Sequence, residues 1–225
     1  MIRAVLFDMD GTLLDTERVS RVSWNRTFDE MGIEIDREYL YHSISGMTMN
    51  AIRAFFEKEY GADFPFEEVR ERRYERLVKL IETDGALRKA GVPEIFYELK
   101  NMGIRLAVAS SSREYWVRKC MGHAGVDVTV FDALMTGEKV ERSKPDPEIF
   151  LRAAQMLGVA PEECIVAEDS KNGILAGHAA GMKTVMIPDL MPATEELIPL
   201  LWARIDSLEE LPTLIEKFNL ESENT

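Results

Sequence analysis

Residues 2–13 read IRAVLFDMDGTL, a largely apolar run that ends in a polar turn. A run of this kind is typical of a parallel strand that is covered on both faces. Similar runs occupy residues 104–109, 164–167 and 183–187, and amphipathic helical segments separate them. This alternation predicts an α/β fold, with a Rossmann-like parallel sheet flanked by helices.

One long segment interrupts the alternation. Between residues 16 and 83, apolar side chains recur at helical spacing and no stretch resembles a strand. We therefore predict an all-helical insert of residues 16–83 within an α/β core of residues 1–15 and 84–225. Thr83-Asp84-Gly85 is the predicted hinge by which the chain returns to the core.

The bulk composition limits the class of protein. The chain of 225 residues carries a formal net charge of -13, which argues against nucleic acid and anionic membranes as partners, because both favour a basic face. No apolar run approaches the length of a membrane span, and no signal peptide is apparent. Cys120 and Cys164 both lie in segments predicted to be buried. These features predict a reduced, cytoplasmic setting, and we expect a monomer.

Most of the candidate catalytic and binding residues follow directly after the predicted strands. The carboxyl ends of parallel strands form one edge of a sheet, and ligands bind at that edge. The side chains delivered there are Asp8 and Asp10, Ser110 and Ser111, Lys144 ahead of a capped helix, and Glu168 and Asp169. Four separate segments therefore bring carboxylates, hydroxyls and an ammonium group together.

This set of groups points to phosphoryl chemistry with a hard cation. Clustered carboxylates repel each other and stay ionised together only around a positive charge, and oxygen ligands favour Mg²⁺ over zinc or copper. A metal ion, a lysine and a hydroxyl suit a dianionic phosphoryl group, since each can face one of its oxygens. Gly11 permits a tight turn, so Asp8 and Asp10 can diverge, one towards metal and phosphorus and the other towards the leaving oxygen.

Four motifs, in order along the chain, resemble the signature motifs of the haloacid dehalogenase superfamily. They are Asp8-Met9-Asp10-Gly11-Thr12-Leu13, Ser110, Lys144 and Glu168-Asp169. The resemblance covers nearly the whole chain. The early helical insert and residues 168–174 are similar to the subgroup that contains β-phosphoglucomutase, phosphoglycolate phosphatase and sugar-phosphate phosphatases.

The resemblance implies a role for each motif. It implies that Asp8 attacks phosphorus and becomes an aspartyl-phosphate, and that Asp10 protonates the leaving oxygen and then activates water. Asp8, the Asp10 backbone carbonyl and Asp169 are the implied ligands of Mg²⁺, and Glu168 is implied to bind it directly or through water. Ser110 and Lys144 are implied to hold the phosphoryl oxygens, and the helical insert to close over the substrate as a cap.

Two more candidates come from their places in the chain. Ser111 is expected to turn its backbone N–H towards the phosphate from the start of a helix. The insert also contains a loop that we expect to face the active site and bind the substrate. Its residues are Ser45, Gly46, Met47, Thr48 and Met49.

Three functions compete. The favoured one is a phosphatase that acts on small phosphorylated metabolites, with sugar phosphates preferred. The alternative is a β-phosphoglucomutase-like sugar phosphomutase. However, Ser20 stands where that enzyme has a histidine, and residues 45–49 lack the lysine and arginine that grip its second phosphate. A mutase must hold a bisphosphate at both ends, so these differences favour the phosphatase. The third is a non-catalytic relative that senses a phosphometabolite, and the complete set of motif residues argues against it.

Overall fold

The computed structural model describes residues 1–84 and 87–223 of the chain. Its strands are β1 (Ala4–Phe7), β2 (Arg105–Ser110), β3 (Ala133–Thr136), β4 (Cys164–Glu168), β5 (Lys183–Met186) and β6 (Ala203–Arg204). They form one sheet in the order β3-β2-β1-β4-β5-β6, and every neighbouring pair is parallel. This confirms the predicted α/β fold class and places β1 in the interior of the sheet.

Helices surround the sheet and fill the long segment after β1. That segment holds α1 (Thr16–Met31), α2 (Arg37–Ile44), α3 (Met49–Tyr60) and α4 (Phe66–Asp84). The later helices are α5 (Glu94–Asn101), α6 (Glu114–His123), α7 (Glu148–Leu157), α8 (Lys171–Ala179) and α9 (Leu211–Glu223). None of the helices in residues 1–84 and 87–223 is both long and apolar enough to span a membrane.

Strand β1 shows why the apolar runs are continuous. Successive side chains of a strand point to opposite faces of the sheet. Val5 and Phe7 belong to the hydrophobic cluster that includes Phe96 of α5, whereas Leu6 belongs to the cluster on the other side, with Phe150 of α7. Because helices cover both faces, every residue of β1 is buried.

The helices between β1 and β2 have a hydrophobic cluster of their own. Trp24 and Phe28 of α1 pack with Phe56 of α3 and Phe66, the first residue of α4. The Trp24 ring lies 5.4 Å from Phe28 and 5.7 Å from Phe56, measured between centroids, and both pairs are stacked. This separate cluster agrees with the predicted helical insert, although the division into a core and a cap at residues 16–83 stays a prediction.

The structure adds detail that the sequence analysis lacks. Strands β3 and β6 were not predicted, because β3 has four residues without a distinctive period and β6 only two, at the edge of the sheet. The predicted hinge at Thr83-Asp84-Gly85 begins inside a helix, since Thr83 and Asp84 both belong to α4. Gly85 lies outside the described residues, as do Ala86 and residues 224–225.

Candidate active site

Three neighbouring strands deliver their carboxyl ends to one point. Phe7 of β1 pairs with Val108 of β2 on one side and with Ala167 of β4 on the other. Asp8 therefore follows β1 at the level where β2 ends in Ser110 and β4 ends in Glu168. The sheet register itself brings these side chains together, as the sequence predicted from their places after the strands.

Lys144 is the centre of the cluster. Its Nζ donates hydrogen bonds to Asp8 Oδ1 and Glu168 Oε1, each over 2.6 Å, and its side chain is fully buried. Burial alone would lower the pKa of Lys144, but the charges of Asp8 and Glu168 outweigh burial and raise it. The ammonium group therefore stays charged and links two buried carboxylates.

Three carboxylates beside this lysine could hold a metal ion. Asp8, Glu168 and Asp169 each offer an oxygen, and these three atoms lie within 4.8 Å of one another. Burial, reinforced by the charge of Glu168, raises the pKa of both Asp8 and Asp169. A divalent cation would offset this cost, and a set of hard oxygens fits Mg²⁺.

The carboxylates differ in how their oxygens are already used. Glu168 Oε2 accepts bonds from the backbone N–H of Asp169 and from the backbone and hydroxyl of Ser170, over 2.8–2.9 Å. Asp169 Oδ1 accepts one bond, from the Thr12 hydroxyl at 3.0 Å. Within the described residues, Asp8 and Asp169 thus each keep an oxygen without a donor, whereas both oxygens of Glu168 are occupied. Asp8 and Asp169 are therefore the better direct ligands.

Asp10 diverges from Asp8, as the sequence analysis expected. The Thr16 hydroxyl donates to Asp10 Oδ1 over 2.5 Å, and the Ser112 hydroxyl donates to Oδ2 over 3.1 Å. Burial raises the pKa of Asp10, and these two hydrogen bonds partly oppose that rise. A carboxyl group that is held by hydroxyls and has a raised pKa is suited to proton transfer. The sequence analysis named neither hydroxyl as a site residue.

Gly11 makes the turn between these two acids possible. Its φ is +87°, and a Cβ at this position would lie 2.3 Å from Asp169 Oδ2. Any side chain would therefore strain the backbone and collide with a candidate metal ligand. The expected tight turn is present at Gly11.

The serines after β2 face different partners. Ser110 is fully buried, and its Oγ accepts a bond from the Ser112 backbone N–H over 3.1 Å. The Ser111 hydroxyl instead donates to the Gly46 carbonyl over 2.6 Å. Ser111 and Ser112 line the same cavity as Asp8 and Asp10. Phosphate binding by Ser110, Ser111 and Lys144 stays a prediction.

The loop Ser45–Met49 forms part of the cavity wall. The cavity has a volume of about 840 Å³, and all five loop residues line it. The core holds this loop through its main chain. Asn172 Nδ2 donates to the Ser45 carbonyl over 2.8 Å, and the Thr48 backbone N–H donates to Ser143 Oγ over 2.7 Å. The loop therefore lies over the candidate active site, where the sequence analysis placed it.

The helices after β1 also carry charged side chains into the cavity. Glu17, Arg21 and Arg73 all line it, and the sequence analysis singled out none of them. Burial and the charge of Asp10 raise the pKa of Glu17 to about 7, against the opposing effect of Arg73. Burial lowers the pKa of Arg73 to about 10, although Glu17 and Asp10 partly offset this.

Fold and site together define a class of protein. A parallel α/β sheet carries a buried lysine and clustered carboxylates at its carboxyl edge, and such a site suits an enzyme of phosphoryl chemistry. The chain belongs to the haloacid dehalogenase-like hydrolases, because the model of that family matches residues 5–187. Membership confirms the resemblance inferred from the four motifs.

Individual relatives match almost the whole chain. Hexitol phosphatase B of Escherichia coli K12 is 31% identical over 215 residues, which cover 93% of this chain and 94% of that protein. A mutant of CbbY from Rhodobacter sphaeroides, in complex with xylulose-(1,5)bisphosphate, has a TM-score of 0.75 and 32% identity over 94% of this chain and 96% of that one. β-Phosphoglucomutase from Clostridium difficile has a TM-score of 0.79 and 27% identity over 98% and 99%. The prediction of an enzyme, a haloacid dehalogenase-like phosphatase, is confirmed.

Proposed function

We propose that the protein is a Mg²⁺-dependent phosphatase that hydrolyses small phosphorylated metabolites, sugar phosphates above all, through an aspartyl-phosphate on Asp8. The contact of Lys144 with both Asp8 and Glu168, over 2.6 Å each, carries this proposal. It holds one oxygen of Asp8 and leaves the other without a donor among the residues that the structure describes. A buried, charged ammonium group at that point also supplies a partner for a phosphoryl oxygen.

The first half of the reaction transfers the phosphoryl group to the enzyme. The free carboxylate oxygen of Asp8 attacks phosphorus, and the bond from phosphorus to the ester oxygen breaks. Asp10 gives its proton to that oxygen, so the alcohol leaves neutral. In this proposal Lys144, Ser110 and Ser111 hold the oxygens of the phosphoryl group.

The second half returns the enzyme to its starting state. Asp10, now ionised, removes a proton from water, and the resulting nucleophile attacks the phosphorus of the aspartyl-phosphate. The bond from phosphorus to Asp8 breaks, and inorganic phosphate leaves. Asp8, Asp169, the Asp10 backbone carbonyl and Glu168 would hold Mg²⁺, whose charge would offset that of the phosphoryl group.

Sugar phosphates are the proposed substrates because of the relatives and the cavity. The name of hexitol phosphatase B indicates hexitol phosphates as its substrates. The CbbY mutant binds a sugar bisphosphate in its crystal structure. A cavity of about 840 Å³ can enclose a ligand of that size. We further propose that the protein is a cytoplasmic monomer and that it binds neither nucleic acid nor membranes.

Phosphate release from a panel of sugar phosphates, with and without Mg²⁺, tests the proposal. Wild type is expected to release phosphate only with Mg²⁺, and Asp8→Asn to release none. Asp206→Asn, at an exposed aspartate outside the cavity, serves as the control and is expected to match wild type. Release that continues in Asp8→Asn would refute the covalent route.

A mutase is the second candidate, because the β-phosphoglucomutase fold covers nearly the whole chain. Incubation with β-glucose 1-phosphate and a bisphosphate primer separates the two functions. A mutase forms glucose 6-phosphate without net release of phosphate. A phosphatase releases phosphate in proportion to the sugar phosphate consumed.

A further inference from the structure

The cavity has a second group of polar side chains, distinct from the carboxylates that cluster around Lys144. It lies on the cap side and consists of Glu17 and Ser20 of α1 with Arg73 of α4, all of which line the cavity. Glu17 comes directly after Thr16, whose hydroxyl bonds to Asp10 over 2.5 Å. Burial raises the pKa of Glu17, and Asp10 is close enough for its charge to add to that rise. Because Asp10 is the proposed acid for the leaving oxygen, we expect the substrate atoms just beyond the ester oxygen to approach Glu17.

Arg73 is fixed in place before any ligand binds. It is only 9% exposed, its Nη2 donates to Ser20 Oγ over 2.8 Å, and its guanidinium carbon lies 4.7 Å above the centre of the Trp24 ring. Among the described residues, Ser20 Oγ alone accepts a hydrogen bond from this guanidinium, so further N–H groups of Arg73 have no acceptor. A held guanidinium with a donor left over is prepared to bind a ligand, since it loses little freedom on doing so.

Glu17 is the complementary acceptor. Its carboxylate makes no hydrogen bond or ion pair with any of the described residues, although Arg73 and Arg21 are close enough to affect its pKa. The gap between Glu17 and Arg73 therefore separates an acceptor and a donor that do not satisfy each other. A hydroxyl group can fill such a gap, because it donates to a carboxylate and accepts from a guanidinium at the same time.

The charges in the cavity favour hydroxyl groups over a second phosphate. Apart from Asp8 and Asp10, four arginines and four glutamates line it, which leaves no net positive charge. A carboxylate beside Arg73 would also repel an anion placed there. A neutral substrate chain with several hydroxyls needs no net positive charge in the cavity and is not repelled by the Glu17 carboxylate.

We propose that Glu17, Ser20 and Arg73 form a hydroxyl-binding subsite that selects phosphate monoesters of polyhydroxylated carbon chains, through the hydroxyls nearest the ester oxygen. The inference rests on the proposed function and names the substrate class of the same cavity. It assigns specificity to helices α1 and α4 in addition to the loop Ser45–Met49.

A comparison of matched substrates separates the contribution of the hydroxyls to kcat/KM from that of the phosphate. Hexitol 6-phosphates, hexose phosphates and pentitol phosphates are compared with hexyl and pentyl phosphate, which have the same chain lengths and no hydroxyls. For wild type, kcat/KM of the best polyol or sugar phosphate is expected to exceed that of the matched alkyl phosphate. The expected ratio is about 10- to 100-fold or more, as for hydrogen bonds to a charged group.

Variants then locate the selectivity. Glu17→Gln and Arg73→Met are each expected to lower the ratio of the two kcat/KM values by about 10-fold or more. Glu68→Gln, at an exposed glutamate of α4 outside the cavity lining, is the matched control and should keep the ratio. A ratio between two substrates of one enzyme sample is unaffected by partial misfolding.

The possible outcomes distinguish failure of the subsite from failure of the proposed phosphatase function. Equal kcat/KM for polyol and alkyl phosphates in wild type overturns the subsite but leaves the phosphatase intact. A wild-type ratio that persists in both Glu17→Gln and Arg73→Met also overturns the subsite. Failure of wild type to hydrolyse any phosphate ester in the presence of Mg²⁺ overturns the proposed function, and the subsite with it.

Discussion

Replacing Lys144 by methionine removes the ammonium group that bridges Asp8 and Glu168. The methionine keeps most of the side-chain volume but leaves two buried carboxylates without their partner. Removing one member of a buried ion pair costs about 3–5 kcal/mol of the free energy of unfolding. The whole free energy of unfolding of a native protein is only about 5–15 kcal/mol. Lys144→Met should therefore be markedly less stable than wild type in the absence of metal.

The magnitude can be stated as a change in urea midpoint. For a chain of 225 residues, we take an m value near ~3 kcal/mol per molar urea. The midpoint of Lys144→Met in EDTA is then expected to fall by about 1–2 M. Lys58→Met, at a lysine whose side chain is 82% exposed, is the control and should stay within about 0.5 kcal/mol of wild type.

Two further readouts follow from the same physical reason. Mg²⁺ should reduce the difference in urea midpoint between Lys144→Met and wild type, because the bound ion supplies part of the missing positive charge. Burial already holds the pKa of Asp8 above its ordinary value, and without Lys144 the folded state binds protons more readily still. The variant should therefore gain stability relative to wild type as the pH falls. Equal midpoints for Lys144→Met and wild type in EDTA would refute the reasoning.

The remaining predictions concern catalysis, packing, metal and cap contacts. Asp10→Asn should lower kcat by about 10²- to 10⁴-fold and leave the inhibition constant for phosphate unchanged; turnover at the wild-type rate excludes the acid–base role. Gly173→Ala would place Cβ 1.7 Å from Glu168 Oε1, so urea unfolding should show a loss of about 1–3 kcal/mol. Gly122→Ala, with no atom within 4 Å of the new Cβ, should instead gain up to ~1 kcal/mol; similar midpoints for both variants contradict the steric argument. EDTA should abolish phosphate release and lower Tm, and Mg²⁺ should restore both; activity that survives chelation argues against the metal. Asn172→Ala removes hydrogen bonds of 3.1 and 2.8 Å to the backbone carbonyls of Ser43, before the loop, and Ser45, its first residue. KM should therefore rise about fivefold and proteolysis near residues 43–48 should become faster; unchanged KM and proteolysis contradict a docking role.

The parts of the site that could be predicted are those tied to the sheet. Asp8 and Glu168 adjoin the ends of continuous apolar runs, and parallel strands in register bring such ends to one edge. Gly11 could be predicted because a tight turn between two acids favours a residue that tolerates positive φ. In each case a local pattern in the chain determines the position.

The parts that could not be predicted depend on how helices pack. Arg73 lies in a charged helical stretch in which several arginines look alike, and only its position against Trp24 selects it as the buried one. Thr16 and Ser112 hold Asp10 from separate elements, so no spacing in the sequence reveals the pair. The two-residue strand β6 is too short for any period to indicate it.

The hydrogen bonds that join the loop Ser45–Met49 to the core have an evolutionary consequence. On the loop side they use the carbonyls of Ser45 and Gly46 and the N–H of Thr48, which any residue would supply except a proline at position 48. Two positions carry further constraints: a Cβ at Gly46 would lie 2.6 Å from Ser170 Oγ, and the Thr48 hydroxyl caps α3 by accepting a bond from the Ala51 backbone N–H. None of the bonds to the core uses the side chain of Met47 or Met49, so a single substitution at either position would alter the cavity wall without removing them, and substrate preference can evolve by that route.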